Sequence, residues 1–222
     1  MGSRVSRIVA KLRKFYGAVP PPPSDAFTLF VAEILSGHTT ARKRDAAVAA
    51  LKRHHALTPE GMWSAPRSAL EDSVAFAGPY RDHRLLALKK GSEVFRRNPE
   101  FAAAIKGPVK TALRQLKQLP RMTGESSAYR MLLFAGGHPV LPVDARVGRV
   151  ATRLGYGERT ANFSTTTKSI RQAVAAELRE ALDAYRATYI YFEHHGAATC
   201  RETDPRCDIC PLLKDCPFGR SR

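Results

Sequence analysis

Apolar residues recur along this chain at intervals of three and four. Phe27, Phe30, Val31 and Ile34 follow the i, i+3, i+4, i+7 spacing that lines up side chains on one helical face, and Val147, Val150, Ala151 and Leu154 repeat it. Strand-like alternation is scarce, so the pattern predicts an all-α fold. Further helices are expected around 40–54, 81–97, 109–118, 126–135, 166–183 and 185–195. Thr58-Pro59-Glu60 and Ser64 read as helix starts, and Gly78, Gly136-Gly137, Gly155 and Gly196 as stops. There is no fixed-period repeat. The run Pro20-Pro21-Pro22-Pro23 predicts a stiff, extended crossing between a short N-terminal helix and a central bundle; a plain surface spacer would fall at the same boundary.

Charge narrows the choice of partner. Lys and Arg number 36 against 20 Asp and Glu, a net charge of +16, with an isoelectric point near 10.2. Such a surplus attracts and steers polyanions, and nucleic acid is the natural candidate. The basic residues are spread in small groups such as Arg42-Lys43-Arg44 and Arg96-Arg97, so an ordinary solvated basic surface stays open as an alternative. With 44% hydrophobic residues the 222-residue chain can bury one or two cores. No stretch approaches a membrane span and the N-terminus lacks the apolar region of a signal peptide. We therefore expect no membrane partner and a reduced, cytoplasmic location, nucleoid-associated if the source is bacterial.

All four cysteines fall in the last 23 residues, at Cys200, Cys207, Cys210 and Cys216, spaced C-x6-C-x2-C-x5-C. Disulfide frameworks spread cysteines through small folds that cannot build a core, so this grouping reads instead as one ligand set for a metal centre. Structural zinc usually takes two short C-x2-C knuckles, and only Cys207 and Cys210 form one. Four thiolates without an interleaved histidine also suit an iron–sulfur cluster. An inert cysteine cluster is the third reading.

A second constellation is Leu119-Pro120-Arg121-Met122-Thr123-Gly124-Glu125-Ser126, a turn between two helical segments. It is followed by Leu141-Pro142-Val143-Asp144-Ala145-Arg146-Val147, which opens another helix. Alone, the first is a glycine-containing turn and Asp144 is an N-cap, its carboxylate accepting backbone N–H bonds at the positive end of the helix dipole.

In combination these segments resemble the endonuclease III-type DNA glycosylases, the iron–sulfur branch of the helix-hairpin-helix superfamily, from about Phe27 to Cys216. Glu33-Ile34-Leu35-Ser36-Gly37-His38-Thr39-Thr40 is similar to the end of the family's first helix and its base-contacting loop. Ala77-Gly78-Pro79-Tyr80 sits where the family has a Gly-apolar-Tyr loop. Leu119 to Ser126 resembles the helix-hairpin-helix, Val143-Asp144 the active-site aspartate, and Tyr191 to Cys216 the cluster domain.

The resemblance implies two helical lobes with DNA across the cleft between them: a six-helix bundle with the helix-hairpin-helix, and an iron–sulfur cluster lobe. The expected divisions are 1–22, an N-terminal helix on the cluster lobe; 23–138, the bundle; and 139–222, the catalytic-aspartate helix with the cluster. Asp144 and Ser126 would stand at the catalytic positions. Pro79 and Tyr80 would fill the gap left by a displaced base, with His38 at the orphaned partner or the pocket. Arg121, Thr123 and Gly124 would bind phosphate, and the four cysteines would hold a [4Fe–4S] cluster. The expected partner is double-stranded DNA containing a damaged base, met by a monomer.

Departures from the family pattern shape the expected activity. Bifunctional members carry a lysine shortly after the hairpin that forms a Schiff base with the sugar. Here Gly124-Glu125-Ser126-Ser127 contains none, and Ser126 falls at the lysine's spacing from Asp144. The hairpin is one residue longer than the usual Gly-x-Gly turn, Glu125 adds a negative charge beside it, and Ala145-Arg146 replaces the family's Thr-His. Ser126 matches the adenine-removing branch. Only six residues follow Cys216, however, so that branch's extra domain is not expected. The expected enzyme removes an oxidised pyrimidine with a weak or absent AP-lyase step. The alternative is a non-catalytic or weakly catalytic DNA-binding relative.

Overall fold

The structure is a computed structural model that describes residues 2–122 and 124–221. Its regular structure is helical, with no strand among the described residues. The helices are α1 (Arg4–Tyr16), α2 (Ala26–Ser36), α3 (Ala41–Arg53), α4 (Pro59–Ser64), α5 (Arg67–Ala75), α6 (Arg81–Arg97), α7 (Phe101–Ala104), α8 (Val109–Leu116), α9 (Glu125–Met131), α10 (Ala145–Arg153), α11 (Phe163–Leu178), α12 (Leu182–Ala198) and α13 (Pro217–Arg220). A π-helical turn, Leu132–Gly136, continues α9, and a 3-10 turn, Leu213–Asp215, precedes α13. The chain divides into two compact units, 22–138 and 1–21 with 139–222. None of these helices is long and apolar enough to cross a membrane.

In the unit 22–138, α2 is the central element. Asp25 caps it by accepting from the Thr28 N–H at 2.7 Å, and eight of its eleven residues are buried. Phe27 meets Phe95 of α6 edge-on at 5.2 Å between ring centres, and Phe95 meets Phe101 at 4.7 Å. Ring contacts of this kind add to the large apolar area the rings bury.

In the other unit, α1 is capped by Ser3 and buries Val5, Ile8, Val9 and Leu12 on one stripe, packing on α11 and α12. Glu177 of α11 accepts the Val5 N–H at 2.7 Å, satisfying one of the donors a helix start leaves open. An ion pair between Arg146 and Glu193 pins the head of α10 to the C-terminal half of α12.

Three local expectations are corrected. Gly196 does not stop a helix: α12 runs through it to Ala198 because its missing Cβ admits α10. An added methyl there would lie 2.9 Å from Arg146 Cβ and 3.1 Å from Arg146 O. The helix expected over 166–183 breaks at Leu178, where Arg179 turns to φ 52°, and α12 starts afresh. Ser64 closes α4 rather than opening α5, its Oγ donating to Glu60 O at 2.9 Å.

Candidate functional site

The two turns singled out at His38 and Pro79-Tyr80 come together in the unit 22–138. α2 ends at Ser36 with Gly37 as its C-cap, and His38 follows at φ 52°; Tyr80, the N-cap of α6, has φ 68°. Both are left-handed positions that non-glycine residues occupy at a cost. Their rings stand 5.5 Å apart, and Tyr80 is 53% exposed.

Beneath them lies Arg84, 1% exposed. Its Nη1 donates to Ala77 O at 2.9 Å and Pro79 O at 2.6 Å, and its Nη2 donates to Gly37 O. Burial is the main cause lowering its pKa, with the Arg121 charge adding to the effect. Sequence reasoning missed this residue. A signal was present: Arg84 falls in register with Leu88, Gly91 and Phe95, all buried, and an arginine in a core stripe implies a job for it.

The hairpin that follows α8 buries Leu119 and Met122, and Arg121 between them adopts φ 62° with its guanidinium close to Gly37. Thr123 lies outside the described residues. Gly124 is the N-cap of α9 and has no side chain to cap it, and such helix starts suit phosphate oxygens.

Ser126, in the first turn of α9, is held from behind. Arg130 Nη1 donates to Ser126 Oγ at 3.0 Å and Nη2 to Ser127 Oγ at 3.2 Å. The same guanidinium forms a two-pronged pair with Glu33 of α2, Nε to Oε1 at 2.7 Å, with both side chains largely buried. Neither Glu33 nor Arg130 was singled out as a functional side chain from sequence. An acid inside an almost wholly apolar helix was the available clue.

In the other unit Asp144 is the N-cap of α10. Its Oδ1 accepts from the N–H groups of both Arg146 and Val147 at 2.9 Å. Two backbone donors on one oxygen fix the plane of the carboxylate at the positive end of the helix. Arg171 of α11 donates to Leu141 O at 3.1 Å and secures the extended approach to it.

The far end of the same helix meets the thiols. Cys200, Cys207, Cys210 and Cys216 line one cavity, closed by apolar neighbours including Val150, Leu154, Leu212 and Phe218. Arg153 Nη1 donates to Cys200 Sγ at 3.3 Å, and the Gly219 N–H donates to Cys216 Sγ at 3.4 Å. His195, almost fully buried, places Nε2 3.7 Å from Cys210 Sγ and Nδ1 2.7 Å from Tyr16 Oη, which donates to Thr199. Burial pushes the Cys210 thiol up to about 11 and raises Cys200, while it lowers His195 to about 4. Among the described residues no three Cys, His, Asp or Glu groups converge on a point that would hold a single ion.

Each unit thus gathers its own set. One holds His38, Pro79, Tyr80, Arg121 and Ser126, with Arg84 and the Glu33–Arg130 pair in support. In the other, α10 carries Asp144 at its start and reaches the thiols at its end.

No protein-family model matches the chain. Over 199 residues it is 26% identical to endonuclease III of Bacillus subtilis, covering 90% of this chain and 84% of that protein. It is 25% identical over 202 residues to the chloroplastic endonuclease III homolog 1 of Arabidopsis thaliana, spanning 90% of this chain but about half (51%) of the plant protein's length. Among solved structures, an endonuclease III trapped as a covalent intermediate with DNA superposes with a TM-score of 0.74 at 22% identity. The match covers 99% of this chain and 97% of that one. The fold and the sequence resemblance are both endonuclease III-like.

Proposed function

We propose that this endonuclease III-like chain is a base-excision DNA glycosylase. In this reading it extrudes a damaged base, by default an oxidised pyrimidine, from duplex DNA, hydrolyses the glycosidic bond and leaves the strand intact. The observation that carries the reading is Asp144, fixed by two backbone donors at the head of α10. As the base departs, the sugar takes on oxocarbenium character, and a carboxylate held in place stabilises that charge or activates water.

Extrusion costs a few kcal/mol, which a side-chain wedge in the stack offsets. The exposed Tyr80 ring, with Pro79 and His38 beside it, has the size and placement for that role. Arg121 and Gly124, at the start of α9, suit phosphate contacts that position the duplex without reading sequence. Ser126 has no amine to offer the sugar, and no step of the lyase kind is assigned to it.

The four thiols line one largely apolar cavity, with N–H donors to Cys200 and Cys216, and suit a [4Fe–4S] cluster, which four cysteine thiolates commonly hold. Cys200, Cys207, Cys210 and Cys216 would hold it. The group would supply a tie between α10, α12 and the C-terminal loop, and its binding free energy would be folding free energy of that unit. Such thiols are kept reduced in the cytoplasm, where we place the protein, acting as a monomer on duplex DNA.

The test is a panel of duplexes, each with one lesion, scored for base release before any alkali treatment. Release from at least one oxidised pyrimidine supports the reading. Binding to damaged duplex without release from any member would instead favour a non-catalytic relative.

A further inference from the structure

Arg84 is the largest fully buried side chain among the described residues, and no carboxylate pairs with it. A buried guanidinium without a counter-charge is an expensive feature that an apolar side chain of similar volume would avoid. What it accomplishes is visible in its acceptors. The Gly37 carbonyl belongs to the peptide that leads into His38, and the Pro79 carbonyl to the peptide that leads into Tyr80. One planar fork therefore fixes the peptide plane before each of two left-handed residues that are 42 positions apart in the chain. Ala77 O, on the same Nη1 as Pro79 O, secures the second turn at another point. Conformations of this cost persist only where the surroundings over-determine them, and they gather at functional positions.

We propose that Arg84 is a positioning residue that locks His38 and Tyr80 into one preformed ring pair, which enters the duplex as a unit when the damaged nucleotide is extruded. The proposal rests on the glycosylase reading for its second half and on this geometry alone for its first. A pair already ordered in the free protein forfeits no loop entropy on insertion, which is how preorganisation gains binding free energy. Arg121, left-handed itself and close to Gly37, adds positive charge beside the pair for the phosphates flanking the gap.

The test uses Arg84→Lys, which keeps the charge but not the fork that spans two turns, and Arg84→Met, which keeps most of the volume. Amide hydrogen exchange in the free protein reads the lock. Fluorescence of 2-aminopurine beside a lesion reads extrusion, and affinity for undamaged duplex serves as the control.

Both variants should speed exchange at 37–40 and 77–81 together. Extrusion should fall about tenfold or more, the cost of losing charge-assisted hydrogen bonds, with undamaged-duplex affinity little changed. In a Tyr80→Ala background Arg84→Lys should cost little further, because residues acting as a unit are not additive. If Arg84→Met fails to fold, Arg84→Lys decides alone. Loosening of one turn only, or losses that add fully with Tyr80→Ala, would overturn the proposal. If both turns loosen but the wild type extrudes no lesion, the insertion step falls with the glycosylase reading, and the lock stands.

Discussion

The hydroxyl of Ser126 accepts a 3.0 Å hydrogen bond from Nη1 of Arg130, whose guanidinium also donates to Glu33 and Ser127. On the proposed reading, in which Ser126 takes the place of a lysine, that side chain is an uncharged acceptor held by a largely buried cation. We expect the product of base release to be an intact abasic strand that breaks only on later alkali or heat, with borohydride trapping little covalent protein–DNA adduct. Ser126→Lys is the converse test. The adjacent guanidinium favours the neutral, nucleophilic form of an introduced amine, so trapping should rise about tenfold or more. Efficient trapping by the wild type would falsify the monofunctional reading, and Lys117→Gln would then show whether that residue supplies the amine.

Asp144→Asn keeps an acceptor oxygen for the Arg146 and Val147 N–H groups and removes the charge. Thermal stability should therefore change by less than about 1 kcal/mol. Single-turnover base release should fall about a hundredfold or more, the scale of losing one aimed electrostatic group. Damaged-duplex affinity should hold or tighten, since a carboxylate repels phosphate. Unchanged excision would reduce Asp144 to a cap.

Much of this was legible in the sequence because it is written locally. The i, i+3, i+4 stripes gave α2 and α10, Thr58-Pro59 gave the start of α4, and the cysteine spacing gave the thiol cavity. What stayed hidden depends on partners distant in the chain. Arg84 stands in register with a buried stripe, but its acceptors come into reach only when the turns at 37 and 79 are folded over it. Arg130 and Glu33, 97 positions apart, become a pair only when α9 packs on α2. Gly196 read as a stop because glycine usually ends helices, whereas here it makes room for a backbone from another helix.

Protein purified without oxygen should be yellow-brown and carry about four irons per chain. Stoichiometric zinc in a colourless, folded protein would overturn the cluster assignment. Cys207→Ser should lower iron content and unfold the unit formed by 1–21 and 139–222, visible as a loss of helical signal, because metal binding and folding are one equilibrium there.

Affinity for undamaged duplex should fall steeply with salt, with a log–log slope of about 0.9 per phosphate neutralised. It should depend little on sequence, as expected of backbone contacts made by a +16 chain. Replacing Arg121 with Gln should reduce the slope by about one contact. An affinity nearly flat between low and high salt would disconnect the charge from nucleic acid.

Two glycines on neighbouring helices make a matched pair. A methyl at Gly196 would sit 2.9 Å from Arg146 Cβ and 3.1 Å from Arg146 O, both on α10 just past Asp144, and a backbone atom cannot swing aside as a side-chain tip can. Gly196→Ala should therefore cost about 1–3 kcal/mol, the usual range for overpacking. It should also displace the head of α10, lowering the rate of base release while leaving undamaged-duplex affinity alone, because a reacting carboxylate tolerates little misplacement. At Gly148, one turn along α10 from Asp144, an added methyl would meet Phe163 and Val143 at 3.5 Å, an ordinary contact. Gly148→Ala should be neutral or stabilise by up to about 1 kcal/mol through its better helix propensity, with base release intact. Thermal melts and single-turnover release on the two variants check both halves. If Gly148→Ala were the damaging change and Gly196→Ala the silent one, the packing of α10 against α12 would not be what holds Asp144 in place.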